Sequence, residues 1–246
     1  MDCASNCHPK HEICCSIDNE MMSANFLFDR LKESCAKDWQ RYTEHEFVRQ
    51  LGAGTLPEAA FRHYLIQDYL FLIQFARAYA LAVYKSDTLG DMRQAAGGMS
   101  AILDIEMGLH VEFCRGWGLS EDGMTAAAED AACMAYTRYV LERGMAGDLL
   151  DLHAALSPCI VGYAEIGSAL AASAGDAPRD NPYAAWIEMY AGDEYQEVAE
   201  AEKAFLDDLM SRRGGDGRFD SLADTFRKAT RLEADFWQMG LDHVAG

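Results

Sequence analysis

An all-α fold is predicted for this 246-residue chain by three observations. Apolar residues recur at intervals of three and four through most of its length, only 5 prolines interrupt them, and no run alternates apolar and polar residues over the length of a strand. Half of the residues are hydrophobic, so a chain of this size can bury a full core. No internal repeat, glycine-rich phosphate loop or dinucleotide fingerprint is present.

Residues 1–20 read as an N-terminal extension, a flexible tail or start-site extension, ahead of a single helical domain over residues 21–246. The extension carries Cys3, Cys7, Cys14, Cys15, His8 and His11, which are zinc-type donors, but their spacing matches no zinc finger. No metal site is assigned there. Met21 and Met22 suit a shorter natural chain.

The first helix is expected over Ser23–Arg41, with Phe26, Leu27, Leu31 and Trp39 inward, and a short one over His45–Leu51 closes on Gly52 and Gly54. The longest element is Thr55–Ser86. Thr55 and Glu58, with Pro57 between them, can satisfy free amides at its start. Phe61, Tyr64, Leu65, Leu72, Phe75, Tyr79 and Val83 then form one stripe, and Asp68 lies on it. An unpaired carboxylate there costs about 1–3 kcal/mol. Asp68 therefore either ties to a neighbouring helix or lines a polar pocket.

Leu89–Trp117 places Met99, Ile102, Leu103, Leu109 and Phe113 on a stripe with a second acid, Glu106. Glu106 stands four residues before His110, a spacing used by helical metal sites. A second such pair is absent, so a carboxylate holding a histidine is the plainer reading. A short helix from Ser120 leads into Cys133–Glu142, with Met134, Tyr136, Thr137, Val140 and Leu141 expected to be buried. Asp148–Ala172 carries Leu149, Leu152, Leu156, Cys159, Tyr163, Ile166 and Leu170 on one side. Pro158 within it removes an amide donor and is expected to bend the axis.

Ser173–Pro182 is the clearest loop. A helix from Pro182 to Arg213, softened at Ala191-Gly192, presents Trp186, Ile187, Tyr190, Val198, Phe205 and Leu209. The last, Ser221–His243, turns Phe226, Ala229, Thr230, Glu233, Phe236, Trp237, Gly240 and Leu241 inward. Glu233 is the third inward acid.

A formal charge of −19, from 40 acids against 21 bases, repels phosphate backbones and anionic lipid. Neither nucleic acid nor membrane is expected as a partner. No run reaches the roughly 20 apolar residues of a membrane span, and no secretory signal is evident, so a soluble cytoplasmic protein is expected.

Three acids and a thiol thus fall on apolar faces of four helices, with Tyr64, Tyr136, Tyr163 and Tyr190 among them, which is the pattern of a small-molecule pocket. The segments YLIQDYLFL, EMGLH, AYTRY, SPCIVGYAEIG, WIEMYAGDEY and LEADFWQMG resemble, in the same order, the blocks of the thiaminase II (TenA) family, in its cysteine-containing class. The resemblance runs from about His45 to the C-terminus.

It implies a haem-oxygenase-like all-α bundle assembled as a homotetramer, and hydrolysis of thiamin or its degraded aminopyrimidines to hydroxymethylpyrimidine. Cys159 would be the nucleophile and Glu233 the acid–base residue. Asp68 would hold the aminopyrimidine and stay ionised; Tyr136, Tyr163, Tyr190 and Phe236 would line the pocket. No metal or organic cofactor is implied. Phe71 stands where family members often carry tyrosine, so a hydroxyl near the thiol is missing. Two other readings stay open: a non-catalytic pyrimidine-binding or regulatory protein on the same fold, and a metal-dependent oxidase using Glu106 and His110.

Overall fold

The computed structural model describes residues 26–173 and 180–245. The cysteine- and histidine-bearing extension and the middle of the Ser173–Pro182 loop lie outside the described residues. Within them the fold is all-α: α1 (Leu27–Ser34), α2 (Ala36–Thr43), α3 (Glu46–Gly52), α4 (Glu58–Lys85), α5 (Leu89–Ser100), a π-helical segment (Ala101–Glu106), α6 (Met107–Gly116), α7 (Glu121–Ala126), α8 (Ala131–Ala146), α9 (Leu149–Ser173), α10 (Ala184–Ala191), α11 (Asp193–Arg213) and α12 (Phe219–Ala245).

The bundle is built around α9, which packs against α8, α10, α11 and α12, while α4 is flanked by α5, α8 and α12. By length and composition alone α9 could cross a membrane, contrary to the sequence expectation. Its apolarity has another cause, since neighbours surround it: Leu149, Leu150, Leu152, Ala154, Ala155, Leu156 and Val161 are all sealed from solvent. Pro158 does not break the helix. Tyr42 from α2 donates its hydroxyl to the Pro158 carbonyl at 3.4 Å, tying the two helices at the site of the missing amide.

The helix expected over Ser23–Arg41 is two helices. Cys35 leaves helical geometry (φ −135°, ψ 34°), and its amide closes a tight turn onto the Lys32 carbonyl. The break lets both halves seal the core from different directions. Phe28 of α1 meets Phe226 edge-on at 5.6 Å, and Trp39 of α2 stacks on the same ring at 5.6 Å. The expected cap at Thr55 also fails: its hydroxyl donates to the Gln50 carbonyl, and α4 begins at Glu58 after Pro57 without a side-chain cap. The Pro182–Arg213 helix is likewise divided at Gly192, whose extended ψ of 149° reorients the chain between α10 and α11.

The π-helical segment corrects the Leu89–Trp117 stripe. Each π turn holds one more residue than an α turn, so the faces before and after it fall out of α register. Ile102 is buried, whereas Leu103 and Leu109 are 52% and 60% exposed. Val198 and Met134, expected inward, are exposed too.

Close packing sets the α9–α10 crossing. A Cβ at Gly167 would lie 2.6 Å from the Tyr190 carbonyl carbon and 2.8 Å from the Ala191 amide nitrogen. Backbone cannot yield as a side-chain tip does. Gly167→Ala is expected to destabilise the protein by about 1–3 kcal/mol and to weaken ligand binding through displaced Tyr190; thermal melting with and without ligand measures both.

Candidate active site

Four long helices bring the predicted residues together. Asp68 and Phe71 come from α4, Tyr136 from α8, Cys159 and Tyr163 from α9, and Glu233 and Phe236 from α12; α10 adds Tyr190. Each lies inward for the reason read from the sequence, the three-to-four spacing of its helix.

The chemical centre is Glu233, which is 1% exposed. Tyr136 donates its hydroxyl to Glu233 Oε1 at 2.7 Å, and the Cys159 thiol lies within hydrogen-bonding reach of the same carboxyl. Burial lifts Glu233 to about 8, partly offset by these two donors. The Cys159 thiol is itself pushed well above its usual range, first by burial and then by the charges of Glu233, Asp68 and Glu106. Both groups therefore rest protonated at neutral pH. Cys35, Cys114 and Cys133 are buried free thiols, whereas Cys159 keeps part of its surface open.

Asp68 is 7% exposed, and burial raises it to about 7. Its neighbour is His110, whose Nδ1 lies 3.5 Å from Asp68 Oδ2. His110 Nε2 sits 2.9 Å from the Leu65 carbonyl, an acceptor only, so that nitrogen carries the proton and Nδ1 offers its lone pair to Asp68. Burial lowers the His110 pKa as it raises that of Asp68. The pair thus tends to neutrality, with Asp68 balanced between its acid and ionised forms near neutral pH. Hydrogen-bond donors on a ligand would draw Asp68 to its charged form.

Aromatic rings form the walls. Phe71 stacks on Tyr136 at 5.3 Å and meets Phe236 at 5.8 Å. Tyr163 packs against Tyr190 at 4.8 Å, and Trp186 donates its indole N–H to the Tyr64 hydroxyl at 3.2 Å. Phe71 brings no hydroxyl, and that of Tyr136 is engaged by Glu233.

Two further tyrosines feel the charges of these groups. Tyr195 of α11 packs edge-on against Tyr190 at 4.8 Å, and the charges of Cys159, Glu106 and Glu233 act on it. Tyr79 of α4 feels Glu202, Glu106 and Cys159. Tyr79 stood on the predicted stripe, and Tyr195 closes the WIEMYAGDEY segment; only the helix crossings reveal that the charges of the site reach both.

Glu106 and His110 do not form the anticipated pair, since His110 is committed to Asp68 and Leu65. Among the described residues no three His, Cys, Asp or Glu side chains are grouped as metal ligands would be. A separate surface groove lined by His63, Asp130, Asp242 and His243 contains none of the predicted site residues.

The model of the TENA/THI-4/PQQC family matches residues 33–243. An uncharacterised protein of Haemophilus influenzae is 42% identical over 216 residues, covering 88% of this chain and 99% of that protein. The aminopyrimidine aminohydrolase of Halalkalibacterium halodurans is 36% identical over 211 residues, covering 85% of this chain and 92% of that protein. Among solved structures, a protein described as a TenA family transcription regulator from Silicibacter superposes with a TM-score of 0.83 at 47% identity, covering 87% of this chain and 96% of that one. A Shewanella denitrificans domain with a heme oxygenase-like fold matches with a TM-score of 0.67 at 13% identity, covering 89% and 93%, a likeness of fold alone.

Proposed function

Because the chain belongs to the TENA/THI-4/PQQC family, we propose that it is a cysteine-dependent hydrolase that converts aminopyrimidine salvage compounds or thiamin to 4-amino-5-hydroxymethyl-2-methylpyrimidine. The observation that carries this reading is the contact of Cys159 with a carboxyl that burial keeps protonated. A thiol pushed upward in pKa is a poor nucleophile unless its proton has somewhere to go. Glu233 supplies that route. One carboxyl oxygen can give its proton to a ring nitrogen as the other receives the thiol proton, so the transfer creates no isolated charge on the enzyme in a low-dielectric cavity.

Sulfur then adds to the pyrimidine ring, its aromaticity is lost, and the ring electrons expel the substituent from the exocyclic methylene. Water adds to the methylene and loses a proton. As sulfur departs, Glu233 gives it back a proton from one oxygen and takes the ring-nitrogen proton on the other, which restores both the thiol and the aromatic ring. Asp68 accepts hydrogen bonds from the amino group and ring edge, while Tyr163, Tyr190, Phe71 and Phe236 hold the ring flat. This reading requires no cofactor. The name of the Silicibacter protein suggests a regulator, but a chain with a charge of −19 repels DNA, which favours the hydrolase.

The test is release of hydroxymethylpyrimidine from aminomethylpyrimidine and, separately, from thiamin, followed by chromatography. Turnover of either supports the reading, and the faster one identifies the working substrate. Stoichiometric binding without turnover would overturn it in favour of a pyrimidine-binding protein.

The homotetramer implied by the resemblance has a candidate surface: Leu89, Met92, Leu103, Ile105 and Leu109 are exposed along α5, the π-helical segment and α6. We propose that a second copy of the chain covers it. Replacing Leu103 and Leu109 by glutamate is expected to lower the mass in solution, read by light scattering, with the helical spectrum preserved.

A further inference from the structure

Asp68 shares one face of α4 with Tyr64, a turn before it, and Phe71, a turn after it. Both rings pack edge-on against Phe236, at 6.0 Å and 5.8 Å, and Phe71 also stacks on Tyr136, whose hydroxyl reaches Glu233. Beside Asp68 stands a group that the proposed chemistry leaves unused. His110 of α6 places Nδ1 3.5 Å from Asp68 Oδ2, and the two side chains are 9% and 10% exposed. Among the described residues His110 is the one basic side chain within ion-pairing distance of Asp68.

The imidazole is oriented to receive a proton. The Leu65 carbonyl, 2.9 Å from Nε2, keeps a proton on that nitrogen and leaves the Nδ1 lone pair toward Asp68. The gap to Oδ2 is longer than a formed charge-assisted hydrogen bond, which leaves room for the pair to tighten once it is charged. No other neighbour can take the proton. The groups that sense the Asp68 charge are the thiols of Cys114, Cys133 and Cys159, the phenols of Tyr64, Tyr163 and Tyr190, and the carboxyls of Glu106 and Glu233. All are acids, and burial favours the protonated form of each. An ionised Asp68 therefore has His110 as its one source of positive charge.

Resting on the assignment of Asp68 to the pyrimidine, we infer that His110 is a positioning residue of the ring site: as the ligand arrives it takes the Asp68 proton onto Nδ1, so that an ionised carboxylate meets the ligand with an imidazolium behind it. The O–H bond of Asp68 breaks, an N–H bond forms at Nδ1, and Nε2 keeps its own proton on the Leu65 carbonyl. The pair begins neutral and ends as two opposite charges, with no proton given to solvent. Nδ1–H then donates to Oδ2, which leaves Oδ1 and a second lone pair on Oδ2 for the amino group and ring edge of the ligand. Burial raises Asp68 to about 7 and lowers His110, so below that pH the proton rests on Asp68 in the free protein. Hydrogen bonds from the ligand to the carboxylate tip the balance.

The experiment uses hydroxymethylpyrimidine, the alcohol that the proposed reaction forms and does not consume. Its affinity is measured by calorimetry at pH 8 and at pH 6, in the intact protein and in His110→Gln, whose amide can still donate to the Leu65 carbonyl but cannot accept a proton. At pH 8 Asp68 is already ionised, and the two proteins should agree within about twofold. At pH 6 the variant has to shed the Asp68 proton to solvent, and it should bind about fivefold or more weakly than the intact protein. Proton exchange by the ligand itself is common to both and cancels in the ratio. A loss of equal size at both pH values marks a merely structural histidine and overturns the assignment, as does no loss at either. Nitrogen NMR of isotope-labelled histidine in the intact protein gives a second readout at pH 6. Saturation with ligand should move one imidazole nitrogen from its unprotonated to its protonated position; no such move overturns the assignment. Turnover of aminomethylpyrimidine and thiamin is measured alongside. A loss confined to acid pH without turnover defeats the hydrolase reading and leaves the His110 assignment standing for a binding protein; turnover with a loss that ignores pH defeats the His110 assignment alone. A protein that neither binds nor turns over overturns both.

Discussion

Cys159→Ser is expected to reduce hydroxymethylpyrimidine release by about a thousandfold or more while leaving ligand affinity within a few-fold. A serine hydroxyl fits the volume left by the thiol and can still donate to Glu233. It is a far weaker nucleophile toward a ring carbon and a worse leaving group when aromaticity must be restored. Single-turnover chromatography with calorimetry on the same preparation checks both halves; retained turnover would remove sulfur from the mechanism. Because burial and three acids oppose thiolate formation, Cys159 should also alkylate slowly in the free protein at neutral pH, unlike a thiol activated beside a cation.

Glu233→Gln is expected to lower kcat by about a hundredfold or more, with binding largely retained. Glutamine keeps an oxygen for the Tyr136 hydroxyl but cannot relay a proton. The pH dependence follows from the same environment. With Glu233 at about 8, its acid form is lost above that pH, and activity in the intact protein should fall there; with Asp68 at about 7, protonation should erode ring binding on the acid side. The profile is therefore a narrow bell, and Glu233→Gln should abolish its alkaline limb.

The same shifts bear on stability. Glu233, Asp68 and Glu106 are all raised in the folded state, so the native protein holds protons that the unfolded chain has already released. Their contribution is fully present below the ordinary carboxyl range and is lost as pH rises through about 7 to 8. Melting temperature without ligand should accordingly decline from pH 6 toward 9 as these groups ionise, and less steeply in Glu233→Gln.

Much of this site can be read from helical periodicity, because a polar residue on an apolar stripe is conspicuous. Asp68, Cys159 and Glu233 are legible in that way, and the charges of both acids act on the Cys159 thiol. Their pairing is not legible: the spacing suggested Glu106 for His110, whereas the crossing of α4 and α6 gives His110 to Asp68. Tyr195 was hidden for a similar reason, since its place against Tyr190 depends on how α11 turns after Gly192. Leu103 and Val198 show the converse limit. An apolar residue at the right interval reads as core whether it seals the interior or remains exposed.

The aromatic wall gives the molecule a built-in optical signal. Trp186 lies 4.5 Å from Tyr190, and Trp237 lies 5.2 Å from Tyr163, ring centre to ring centre. Two indoles thus flank rings of the proposed pyrimidine site, with excitation energy able to pass from the tyrosines to them. Occupancy should change the intensity and wavelength of intrinsic emission, making the chain its own unlabelled reporter of ligand arrival.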